Sequence, residues 1–187
     1  MTDQEPGAAT GGAAAPEANA QTDEAAKQDA MADIRLLVHR HYIKDLSVEN
    51  PNAPEIFTKR EQPQVKVQLD VNASRLQERI FEVVLATKVD ATVEDKAAFI
   101  VELDFAALIK VGDKVPDAEI EQILAVEVPQ LLFPFARNIV ADVTRDGGYP
   151  PLLINPVDFA SLRRQKVAAA QAAQSAQSAE PAAAEAE

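Results

Sequence analysis

This 187-residue sequence predicts an α+β fold, a four-stranded antiparallel sheet with helices packed on one face. Two features of its patterning carry that prediction. Between Leu36 and Val111 apolar residues recur with a period of two, the spacing that places alternate side chains on opposite faces of a strand. Beyond Pro116 the period lengthens to that of a helix, with Ile120, Ile123 and Leu124 at i, i+3 and i+4.

The first strand runs Leu36, Val38, Arg40, Tyr42 on one side against Leu37, His39, His41, Ile43 on the other, and continues through Leu46 and Val48. Neither side is cleanly polar. The second is sharper: Val65, Val67, Leu69 and Val71 alternate with Lys66, Gln68 and Asp70, the pattern of a half-buried antiparallel strand. The third, Ile80 to Val93, puts Phe81, Val83, Leu85, Thr87, Val89 and Ala91 on one face. The fourth, Ala97 to Val111, sets Phe99, Val101, Leu103, Phe105, Ile109 and Val111 against a mixed face of Ile100, Glu102, Asp104, Leu108 and Lys110. A short link at Thr92 to Lys96 favours a meander. Asn50 to Gln64, by contrast, holds Pro51, Pro54 and Pro63 and predicts a long, stiff crossover with the apolar pair Ile56 and Phe57 in its middle.

Asp117 and Glu119 suit the start of the first helix, which is expected to stop near Pro129. A second is expected from there to Asp146, with Pro134 in its early turns and Gly147 and Gly148 as its stop signal. A third is expected to begin with Asn155 as its cap and Pro156 at its first position. Large apolar residues exceed what one covered sheet face needs. Leu131, Leu132, Phe133 and Phe135 surround one helix, so subunits are expected to bury the surplus against each other.

Composition divides the chain into three. Residues 1–33 are rich in Ala, Gly and acidic side chains, with Lys27 against seven carboxylates, and are expected to be disordered. Residues 34–166 form the expected domain, and 167–187 an Ala/Gln/Glu tail that extends a helix and then frays. The net charge of −12 argues against a nucleic-acid partner. Absence of cysteine excludes disulfides and thiolate metal sites. No charged leader precedes an apolar stretch, and no run approaches the roughly 18 apolar residues of a membrane span. A soluble, cytoplasmic protein without membrane insertion is expected.

Catalytic chemistry is not expected. The only histidines, His39 and His41, stand two apart on one strand, and the basic cluster from Arg35 to Lys44 reads as a solvated strand face. No serine sits in a nucleophile elbow, and no glycine-rich loop could cradle phosphate. No enzyme activity, metal or cofactor is therefore expected.

Two segments, YIKDLSVENPNAPEIFTKREQPQVKVQL from Tyr42 to Leu69 and LLFPFARNIVADVTRDGGYPPLLINPVDFASL from Leu131 to Leu162, resemble the SecB family of protein-export chaperones. FEVVLATKVDA and AAFIVELDFAALI fit that family's third and fourth strands, so the resemblance covers roughly residues 36–165. It implies a homotetramer built as a dimer of dimers. It also implies an ATP-independent holdase that keeps unfolded precursor proteins competent for translocation and delivers them to the motor ATPase SecA. The resemblance places SecA docking at Asp45, Glu49, Ile100 and Glu102, and client binding at Ile56, Phe57, Val65 and Val67. Where familiar members carry a tryptophan before the Gln-Pro of the crossover, this chain has Glu61. The alternative is a SecB-like chaperone dedicated to one partner, such as a toxin-antitoxin system.

Overall fold

A computed structural model describes residues 34–179, with side chains described to residue 172. The disorder expected for residues 1–33 and the end of the tail, residues 180–187, lie outside the described residues. Four long strands, β1 (Leu36–Glu49), β2 (Gln64–Gln77), β3 (Ile80–Val93) and β4 (Lys96–Val111), form one antiparallel sheet in the order β1-β4-β3-β2. β2, β3 and β4 make the expected meander. The crossover carries the chain from one edge of the sheet to the other, which is why it must be long.

Register explains the ambiguous pattern of β1. The strand shifts between Val38 and Arg40 and again between Ile43 and Asp45, leaving His39 and Lys44 as bulges without a partner on β4. Each bulge flips the parity of the residues beyond it. Leu36, Val38, His41, Ile43, Leu46 and Val48 therefore lie opposite the inward-facing residues of β4, while Arg40, Tyr42, Asp45, Ser47 and Glu49 lie opposite the outward ones. Simple alternation, which groups Arg40 and Tyr42 with Val38, is corrected by the bulges.

The inner face is then a nearly unbroken apolar grid. One row reads Val48, Val101, Val89, Val67 across the sheet, and another Ile43, Phe105, Leu85, Val71. Thr87 interrupts it, buried with a hydroxyl that has no hydrogen-bond partner.

Helices cover this face. α1 (Asp117–Gln122) passes through a π-helical turn at Ile123–Glu127 into α2 (Val128–Asp146), so Pro129 does not end the helix as its sequence suggests. Proline cannot donate to the carbonyl four residues back, and the widened turn just before it accommodates the missing bond. Ile123, Val128, Leu132, Ala136 and Val140 are buried against the sheet. By length and composition the continuous helix Asp117–Asp146 could cross a bilayer, contrary to the expectation from the sequence, with a mean hydropathy of 1.3 in its most apolar window. Of that window 44% is buried inside the protein, as befits the helix that covers a sheet.

α2 stops as expected at Gly147, and Gly148 follows at φ +92°, a backbone conformation that favours glycine; a Cβ there would also stand 3.2 Å from the Phe57 ring. α3 (Phe159–Ala179) starts later than its sequence suggests. Asp158, not Asn155, caps it: its carboxylate accepts from the Ser161 N–H at 3.1 Å and the Ser161 hydroxyl at 2.6 Å. The Ser161 side-chain bond, with its backbone N–H second, holds the Asp158 carboxyl below the usual range.

Leu85 is fully buried between Phe105 and Val71. L85A should destabilise the fold by about 2–5 kcal/mol, read from the shift of a urea transition at unchanged slope; a cost under about 1 kcal/mol would show that the site collapses around the void.

Candidate functional site

Burial of the inner grid leaves the outer face of the sheet without helical cover, and its side chains fall into rows that the register defines. Glu49 lies beside Ile100, which lies beside Asp90 and then Lys66. In the next row stand Ser47, Glu102, Lys88 and Gln68; in the third, Asp45, Asp104, Ala86 and Asp70. All four residues assigned to partner docking, Asp45, Glu49, Ile100 and Glu102, are thus on one face within three adjacent rows. Cross-strand neighbours on such a face are about 5 Å apart, so the carboxylates share one field. Lys88 donates to Glu102 at 2.5 Å. A shallow depression lined by Gln68, Asp70, Ala86, Lys88, Glu102 and Asp104 lies at the centre.

Toward the other end of this face the chemistry changes. Tyr42 lies opposite Ala106, which is fully buried, and donates its hydroxyl to Glu82 at 2.5 Å. Lys44, extended from its bulge, reaches the other Glu82 oxygen at 2.7 Å. Lys44 first and Tyr42 second hold the Glu82 carboxyl below the usual range, while the same carboxylate pushes the Tyr42 phenol up. This network ties β1 to β3 across β4 at the position where β1 changes parity. Nothing in the one-dimensional pattern pairs residues 42, 44 and 82; the signal appears only once the bulge is placed.

The four residues assigned to client binding separate. Ile56 is 5% exposed and belongs to the core. Phe57 is 47% exposed, with its ring 5.2 Å from that of Tyr149, which in turn lies 4.6 Å from Phe99. Val65 is exposed at the margin of the inner face, and Val67 is half-buried against the core. The crossover is pinned at both ends: Asn50 donates to the Gly147 carbonyl, Asn52 to the Ala97 carbonyl, and Lys59 pairs with Glu94 at 2.6 Å. Glu61 is exposed. The Phe57–Tyr149–Phe99 cluster escaped sequence reasoning because its rings come from three separate elements.

On the helix side of β1 a second exposed surface appears. Val38, Ile43, Leu46 and Val48 from the strand and Leu131 and Phe135 from α2 are all exposed, and the His41 ring stacks on Phe135 with centroids 4.7 Å apart. The remaining edge of β1 is free of backbone pairing within the described chain.

Fold and surfaces together define a scaffold with one charged open sheet face, an exposed edge strand and an aromatic crossover, the architecture of a binding protein. Comparison with known proteins fixes the family. The model of the SecB family, described as preprotein translocase subunit SecB, matches residues 27–170, and the chain belongs to that family. It is 51% identical over 137 residues to the protein-export protein SecB of Rhodospirillum rubrum, spanning 73% of this chain and 84% of that one. It is 50% identical over 133 residues to that of Parvibaculum lavamentivorans, spanning 71% and 79%. Among solved structures, the SecB-like chaperone of Mycobacterium tuberculosis, in complex with a peptide from an antitoxin, superposes with a TM-score of 0.56 at 17% identity. That likeness covers 71% of this chain and 95% of the other, and it shows the shared fold.

The Glu82 network gives a pH test. A carboxyl held below its ordinary value contributes stability above that value, 4.5, and loses it as pH falls through the lower one. The melting temperature of E82Q should therefore lie furthest below wild type near pH 7 and approach it as pH falls below the ordinary carboxyl value; a constant offset would show that charge plays no part.

Proposed function

We propose that this chain is a cytoplasmic, ATP-independent holdase that binds unfolded precursor proteins and presents them to SecA for export. Membership of the SecB family supports the chaperone role in export. The observation that carries the docking half is the open sheet face, where Glu49 and Asp90 flank the apolar Ile100, with Asp45, Glu102 and Asp104 in the next rows. An apolar anchor ringed by carboxylates suits a basic partner, which it steers by charge and holds by desolvating the anchor.

Client binding falls to the crossover side of the molecule. Phe57 and Val65 offer exposed apolar surface there, whereas Ile56 holds the crossover to the core and Val67 contributes partly to both. Extended, non-native chains expose apolar side chains at strand spacing, and such a surface takes them without reading a sequence motif. No step requires a cofactor or a metal, and no reaction is catalysed.

Self-assembly uses the β1 surface. Fourteen residues of edge strand flanked by exposed Val38, Ile43, Leu46, Val48, Leu131 and Phe135 would otherwise invite non-specific association. Two-fold pairing of this surface gives a dimer, and a second two-fold contact between dimers completes a homotetramer arranged as a dimer of dimers. The domain that does this spans residues 34–166.

The test is suppression of aggregation of an unfolded precursor by a stoichiometric amount of the protein without nucleotide. Failure with several unfolded clients would overturn the holdase reading. E102K should weaken SecA binding at low salt at least several-fold while molar mass by light scattering and client protection stay unchanged; undiminished affinity would remove Glu102 from the docking face.

A further inference from the structure

Among the three carboxylate-bearing rows of the open face, Lys88 occupies a singular place. It stands directly across from Glu102 on the neighbouring strand, and its ammonium lies 2.5 Å from a Glu102 oxygen. One row away are Asp90 on its own strand and Asp104 beside Glu102, and the Glu49 charge acts on it as well. The bond to Glu102 first, then the charges of Glu102, Asp90 and Glu49, hold the ammonium proton more firmly than in an ordinary lysine. Asp70, in the same depression, has a separate counter-ion in Lys166 of α3 at 2.6 Å.

An all-acid face would repel itself, since like charges directly across neighbouring strands destabilise a sheet. Asp45 and Asp104 are such a pair. A lysine in their midst lowers that repulsion, but it also occupies an oxygen that a docking cation would use. Both Lys88 and Glu102 are about half exposed, so the pair is exchangeable rather than locked, and water and an incoming side chain can reach it.

We propose that Lys88 is a built-in competitor on the docking face: it holds Glu102 until a cationic group of the partner displaces it, and so sets the affinity and salt dependence of docking. This inference rests on the reading of the open face as the SecA docking surface. It has a physical consequence that a purely structural lysine would not have. Removing the charge frees Glu102 and deepens the negative potential of the face, and both changes favour a basic partner.

Calorimetric titration of SecA at low salt into the full-length wild type, E49Q, K88Q, K88R, E102Q and K88Q/E102Q tests it. K88Q should bind about three-fold tighter, the scale of one exposed ion pair, and with a steeper salt dependence. Its effect should shrink in the E102Q background, where only the change in potential remains, and K88R should restore wild-type affinity. K88T, with a good strand-forming residue, replaces K88Q should that variant fold poorly. Unchanged or weaker binding by K88Q and K88T, with E102Q weakened, overturns the role of Lys88 and leaves the docking reading standing. Binding of E102Q and E49Q equal to wild type overturns the docking reading and this inference with it.

Discussion

Pairing of β1 with β4, with His39 and Lys44 bulged out of the ladder, decides both faces of the sheet at once. Without the two shifts, Arg40 and Tyr42 would turn into the apolar grid beneath α2, and His41 and Ile43 would turn out to water. With them, the inner side of β1 is apolar apart from His41, and because the second shift restores the original parity, Asp45 and Glu49 keep their place on the outer side beside Asp104 and Ile100. A one-residue slip in a strand exchanges its faces, so the paired bulges turn Arg40 and Tyr42 out of the core and His41 and Ile43 into it without moving Asp45 and Glu49 from the open face. The Tyr42–Glu82–Lys44 network reinforces this arrangement at the point where parity changes.

Much of the architecture is legible before any coordinates. The ends of β3 and β4 fall within a residue of those the pattern marks, whereas β2 begins one residue before Val65 and runs to Gln77, six beyond the Val71 that closes its clean alternation. The crossover announces itself through Pro51, Pro54 and Pro63. What sequence reasoning misses has physical causes. Bulges leave no mark in a period-two pattern except ambiguity, which is what β1 shows. Pro129 reads as a stop because proline usually is one, and a π-helical turn beside it is invisible to propensity. Asp158 and Asn155 are both good caps, and the choice between them is made where the chain leaves the sheet, not locally.

The same distinction holds for the sites. The rows that gather Asp45, Glu49, Ile100 and Glu102 follow from register, and a strand-face argument already pairs them two by two. Lys88 and Asp90 join them only when β3 is laid beside β4. Ile56 and Phe57 are neighbours in sequence with opposite fates, one in the core and the other beside Tyr149 at the surface, because a tight turn points consecutive side chains apart. Fold and family agree on a protein-export chaperone, and the apolar crossover and charged sheet face are the surfaces proposed for its unfolded clients and for SecA.

The central claim is that the open sheet face is a charge-driven docking surface. Calorimetric titration of the wild-type protein with SecA at low and high salt, with molar mass followed by light scattering, tests it most directly. Saturable binding by a tetramer that weakens steeply as salt rises is the result this account predicts. A well-folded oligomer that does not bind SecA at either salt concentration would contradict it.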